Sequence, residues 1–175
     1  MNNLLLEEIE YKTSETSLGT WRRFAYPTGQ VFEEFTSHKQ YFGLPLLHFT
    51  RGRCPETGRR IIAKGIVAIG RLAIGGIAIG HASAGLIAVG QLSIGILFGL
   101  GQLTTGVFAL GQIALALLFG IGQISCGYAV IAQLGAGNFV LAQKGFGAHV
   151  CDTGGCNHIV LDYFRKIFPF LSGKP

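Results

Sequence analysis

His149, Cys151, Cys156 and His158 form the densest Cys/His cluster in the sequence, in the order H-x-C-x4-C-x-H. Four such ligands are what a tetrahedral zinc site requires. The Cys-x2-Cys knuckle is missing, however, and the segment is rich in glycine. The expectation is therefore a turn carrying reduced thiols, with no cofactor, and zinc on these four residues is the alternative. Cys54 would join them only if distant parts of the chain met. Acid–base chemistry has little to work with: no Asp or Glu lies between Glu56 and Asp152, so a catalytic pair cannot form within the central block. Gly99-Leu-Gly101 and Gly120-Ile-Gly122 look like fragments of phosphate loops, but no Lys or Asp follows them and both belong to a repeat.

Charge is unevenly placed. Arg51, Arg53, Arg59, Arg60, Lys64 and Arg71 stand against the single acid Glu56, whereas Leu72 to Gln143 contains no Asp, Glu, Lys or Arg. A basic collar beside an uncharged block can meet anionic lipid or nucleic acid; as a plain solvated rim it does neither. Trp21, Arg22, Arg23, Phe24 and Tyr26 could stack bases, but on a hairpin they are expected to cover a core edge. A nucleic acid is not expected as partner, nor is a small-molecule substrate.

The elements that would position these groups fall into three stretches. Residues 1–60 read as a cap with a β-hairpin: aromatic runs flank Tyr26-Pro27-Thr28-Gly29, which has type I turn grammar. Leu44 to Thr50 reads as a further strand, and Cys54 to Gly58 as a further turn. Residues 148–175 read as a turn followed by a helix from Asn157 to Leu171, with Asn157 as N-cap and Pro169 ending it. Together with the central block these are expected to form one compact unit.

Residues 61–147 are a repeat of five: GIVAI, GRLAI, GGIAI, GHASA, GLIAV, GQLSI, with six-residue units interspersed later. The second position is polar in alternate units, at Arg71, His81, Gln91, Gln102, Gln112, Gln123, Gln133 and Gln143. A shift of 21 also superposes residues 97–106 on residues 118–127. A fixed internal period points to a repeat architecture. Membrane helices fit poorly: glycine every fifth residue lands on all sides of a helix and costs about 1 kcal/mol each against alanine. The pattern predicts an all-β fold, a four-sided β-solenoid of about four coils of 20–21 residues, with Leu or Ile pointing inward and the polar residues stacked in columns on alternate sides.

The units GRLAI, GQLSI and GQIAL resemble those of pentapeptide-repeat proteins, whose right-handed quadrilateral β-helix places a small, a polar and then a central Leu or Phe residue in each unit. The fourth and fifth positions here are Ala/Ser and Ile/Val/Leu, where that family is polar. The DNA mimicry of some members rests on acidic faces that this chain lacks. The segment PETGRRIIAKGIVAIG (55–70) is similar to one in uncharacterised bacterial proteins with Ala-Ile-Gly-x-Leu runs, which implies no activity.

Leu86, Ile96, Val107, Leu117 and Tyr128 lie between the polar positions, and if they face outward they form an apolar wall too large to leave in water. A non-enzymatic structural protein that self-associates through this wall, as a dimer or filament, is the leading expectation. The alternative is a membrane-associated protein with the apolar block against lipid and the collar at the headgroups. The start of the sequence has no secretory character, so a cytoplasmic setting, with or without membrane attachment, is expected.

Overall fold

In the computed structural model, residues 10–169 are described, and they are mostly β. The chain divides into two compact units, Met1–Ile94 and Gly95–Pro175.

In the first unit, β1 (Lys12–Thr16), β2 (Gly19–Ala25) and β3 (Val31–Ser37) form an antiparallel meander. Tyr26 to Gly29 closes the β2–β3 hairpin: the Gly29 amide donates to the Tyr26 carbonyl over 3.0 Å, and Gly29 takes the positive φ of 80° that glycine tolerates. A short pair, β4 (Gln40–Tyr41) and β5 (Leu44–Pro45), precedes β6 (Leu47–Arg51), which pairs antiparallel with β3. The sheet then changes direction. β6 pairs in parallel with β7 (Ala63–Gly70), and β7 in parallel with the start of β8 (Leu72–Asp152).

The β7–β8 register is ten residues: Ala63 faces Ala73, Gly65 faces Gly75, and Ala68 faces Ala78. The expected repeat of 20–21 residues is therefore replaced here by one of half that length. A twenty-residue step occurs at β6–β7, where Leu47 faces Val67 across the irregular Gly52–Ile62 loop. The tight register leaves no room for side chains on certain glycines. A Cβ on Gly85 would collide with the carbonyl oxygen of Gly75.

Burial runs opposite to the sequence expectation. The residues turned inward are the small ones at every fifth position: Ala63, Ala68, Ala73, Ala78, Ser83, Ala88 and Ser93 are all buried. Their Leu and Ile neighbours point outward, with Leu72, Ile74, Leu92 and Ile94 between 38% and 53% exposed. Alternation along a strand demands this once the small residue faces in. Two strand segments drawn together by an alanine core leave no space between them for leucine.

The meander is tied to this repeat by a polar chain. Arg22 reaches Glu34 at 3.3 Å and Glu56 at 3.5 Å, and its guanidinium lies 4.3 Å over the Tyr11 ring. The Tyr11 hydroxyl donates to Glu56 over 2.9 Å; burial, then this bond, raises its pKa. His48 accepts the Lys64 amide at Nδ1 over 2.9 Å, which puts its proton on Nε2, 3.2 Å from Glu34. Trp21 packs on Phe35 and Phe49, so the aromatic run covers a core edge.

In the second unit the inward positions are again small or β-branched: Thr104, Ala109, Ala114, Ser125, Val130 and Val140. A Cβ on Gly111 would strike the carbonyl of Gly101, ten residues back, and one on Gly122 the carbonyl of Gly111, eleven back. The end of β8 pairs antiparallel with β9 (Gly155–Cys156). Helix α1 (His158–Ile167) follows, capped by Asn157, whose side chain accepts the Ile159 amide over 3.0 Å. Val160 and Phe164 bury against Ala129, with Phe119, Phe139 and Leu141 around them. The helix stops short of Pro169; the expected end at Leu171 lies outside the described residues.

The inward hydroxyls separate two cases. The Ser125 hydroxyl donates to the Ala114 carbonyl, eleven residues back, over 3.1 Å, whereas buried Ser83 Oγ has no partner among the described residues. An unpaired buried hydroxyl costs about 1–3 kcal/mol. Ser83→Ala, which repeats the alanine already at Ala73, is expected to raise stability by about 1 kcal/mol, and Ser125→Ala to lower it by a similar amount. Denaturant unfolding of both variants checks this; loss of stability in Ser83→Ala overturns it.

A pH dependence follows from Glu34. The His48 hydrogen bond, with help from the Arg22 charge, holds its carboxyl below the ordinary 4.5 despite opposing burial. A depressed carboxylate stabilises the fold above its unfolded value and loses that contribution as pH falls through the folded one. Urea midpoints are expected to fall below about pH 4.5 in the native chain and to fall less steeply in Glu34→Gln. Equal slopes in the two proteins would show that Glu34 is not the group responsible.

Candidate functional site

The ends of several strands of the first unit converge on one concavity of about 900 Å³. Its construction follows from the register. Thr50 faces Gly70, so Arg51 and Arg71 emerge as neighbours at the ends of β6 and β7. The amide of His81 donates to the Arg71 carbonyl over 3.1 Å, which brings His81 to the same edge. Gly52, at a φ of 88° and against the Val31 carbonyl, turns the chain sharply enough to bring Arg53 into the wall. The Tyr26 hydroxyl holds that turn by donating to the Arg53 carbonyl over 3.0 Å. Arg60 and Ile61 come from the same loop, and the buried Thr50 hydroxyl donates to the Ile61 carbonyl over 3.2 Å.

Four arginines, Arg51, Arg53, Arg60 and Arg71, thus line a cleft whose remaining wall includes Phe49, Ile69 and Ile79. Among the described residues, the ion pairs of this unit go to Arg22 and Arg23, His48 bonds Glu34 as well, and no carboxylate reaches these four arginines. The acid in the cleft wall, Glu33, is paired with Arg23 at 3.4 Å. Partial loss of water, then the charges of Arg71 and Arg53, push the Arg60 guanidinium below its ordinary pKa. Guanidinium groups keep their protons near neutral pH, so what these side chains offer is positive charge and hydrogen-bond donors, the chemistry that suits an anion.

The polar repeat positions lie closer in sequence than the expected 20–21-residue columns. Arg71 adjoins His81 in the first unit, and Gln112 and Gln123 line one small hollow in the second, so members ten or eleven apart are neighbours. Gln91, Gln102, Gln133 and Gln143 are all exposed. Of the wall residues, Leu86, Ile96 and Leu117 are 48%, 63% and 70% exposed, and Val107 is half-buried. Tyr128 is partly covered: its ring lies 5.6 Å from Phe139 and 6.5 Å from Tyr163 of α1, and Phe139 stacks on Tyr163 at 4.1 Å.

The Cys/His cluster does not assemble as a metal site. The β8–β9 register places Cys151 opposite Cys156, and the two form a disulfide, which removes both thiolates and corrects the expectation of reduced thiols. The His149 ring stacks on Phe139 at 5.2 Å, and His158 opens α1. Among the described residues no group of three His, Cys, Asp or Glu could hold a metal. Cys54 is buried in the first unit with its sulfur 4.0 Å from the Tyr11 hydroxyl, and Cys126 is exposed.

Two features escaped the sequence. The collar arginines were visible, but not that Gly29, Gln30 and Glu33 close the cleft with them. Phe42, between β4 and β5, is fully exposed at a φ of 54°, a conformation rare for a bulky residue. Its signal was Gly43 after an aromatic pair, read only as part of the cap. Comparisons with family models, with curated proteins and with solved structures found no match.

Thiol titration of the unreduced, denatured chain is expected to find two free thiols, Cys54 and Cys126, and four after reduction. Four before reduction would refute the Cys151–Cys156 bond. Cys151→Ser is expected to cost about 2 kcal/mol, as suits so short a loop.

Proposed function

We propose that this chain is a non-enzymatic structural protein that self-associates through outward-facing apolar strands. The repeat is read as a two-sided β-solenoid with coils of ten or eleven residues, each side offering an outward Leu/Ile pair around an inward Ala, Ser or Thr. The observation that carries the reading is the direction of those side chains. Leu72, Ile74, Leu92 and Ile94 border a shallow apolar groove floored by Ala73 and Ser83 in the first unit. In the second, Leu103, Ile113, Leu115, Leu118 and Ile124 are exposed in the same manner. Contiguous apolar surface of this kind marks a contact with another molecule. Its aliphatic, uncharged character suits a copy of itself. The exposed Gln residues would border these faces and supply register.

A second reading, membrane association, is favoured by the same faces combined with the collar arginines. Among the described residues no helix is long and apolar enough to cross a membrane. The cytoplasmic setting expected from the sequence would keep Cys151 and Cys156 reduced, whereas their disulfide favours an oxidising one.

Light scattering coupled to gel filtration in detergent-free buffer is expected to find a defined oligomer. Ile74→Lys with Ile94→Lys, which places charge on the groove rim, is expected to shift it to monomer with an unchanged strand signal in circular dichroism. A native chain that stays monomeric at high concentration overturns self-association. Recovery with membranes, and oligomers only in detergent, would favour the second reading.

A further inference from the structure

We infer that the arginine-lined cleft of the first unit binds an organic phosphate, with the phosphate on Arg51, Arg53, Arg60 and Arg71 and the organic body against Phe49, Ile69 and Ile79. The cleft shares no residue with the groove bordered by Leu72, Ile74, Leu92 and Ile94.

Three observations lead there. The first is convergence: strand ends β6 and β7 and the loop between them all deliver arginine, never lysine, to one cavity of about 900 Å³, within the usual range for small-molecule sites. The planar guanidinium fork matches phosphate oxygens two at a time, which an ammonium cannot do. The second is the missing counter-charge. These four arginines have no ion-pair partner among the described residues, while on β2 Arg22 has two and Arg23 has one. Glu33, the acid in the wall, is committed to Arg23. Like charges held together in this way repel, and a bound dianion relieves that repulsion; loss of water first, and the charges of Arg71 and Arg53 second, lower the Arg60 pKa. The third is the apolar wall. Phe49, Ile61, Ile69 and Ile79 face the same space, which a bare inorganic anion would leave unfilled and an ester of phosphate would cover.

Phosphate esters come from two sources, soluble metabolites and lipid headgroups, and the test separates them. Calorimetric titration with phenyl phosphate is expected to show saturable binding about tenfold tighter than inorganic phosphate, from burial of the ring. Arg53→Gln with Arg71→Gln is expected to weaken phenyl phosphate about a hundredfold, roughly tenfold for each lost charge-assisted contact. Arg59→Gln with Lys64→Gln removes the same charge from residues outside the cleft wall and is expected to leave binding within about twofold. Circular dichroism confirms that both variants fold. Flotation with phosphatidylcholine vesicles, with and without phosphatidylglycerol, identifies the source. Binding that needs the anionic lipid, needs Arg53 and Arg71, and is displaced by phenyl phosphate assigns a headgroup. Phenyl phosphate binding without flotation assigns a soluble ester. No phenyl phosphate binding, equal affinity for inorganic phosphate, or equal losses in the two double variants each overturns the inference.

Discussion

Ala63, Ala68, Ala73 and Ala78 touch one another at the centre of the first unit and are almost wholly removed from water. That contact fixes the spacing of everything around it. The ten-residue stacking is tight as well, since a side chain on Gly85 would run into the carbonyl of Gly75, and the inward positions of this unit's repeat hold only alanine and serine. With alanine or serine inward, alternation sends the flanking Leu and Ile outward. The glycine content, the ten-residue register and the apolar exterior are three aspects of one narrow interior.

The same register explains the charged end of the first unit. In parallel pairing, equivalent positions of successive segments line up, so whatever follows Thr50 stands beside whatever follows Gly70. Here both are arginine. The repeat thus places cations side by side where it meets the meander, and the loop from Gly52 to Ile62 adds two more. The Arg22–Glu34–His48 chain neutralises the opposing side of the meander without drawing on the cleft arginines.

Much of this was legible in the residues, and the failures have physical causes. The turn at Tyr26–Gly29 and the Asn157 cap depend on local chemistry, and both were read from it. The period of five was equally plain, but a period does not say which way a side chain points. In G-x-L-A-I either Leu or Ala can face inward, and hydrophobicity argued for Leu. Space decided for Ala, and space is a property of the paired segments. The register had the same ambiguity. The polar residues recur at ten or eleven, and only the assumption of four sides doubled that to 20–21. The Cys151–Cys156 bond and the arginine cleft depend on which segments become neighbours, which no local pattern of spacing or charge encodes.

A ten-residue register also sets how such a chain can assemble itself and change. At the β7–β8 pairing a segment finds its partner by closing a loop of about ten residues, an event of about 10–100 ns. Ordering can therefore spread from rung to rung without a long search, unlike the distant pairings that slow most β proteins. Duplication or loss of one such rung would leave the kinds of neighbour at every surviving position the same. In the solenoid proposed above, length would be a quantity that evolution can adjust in single rungs.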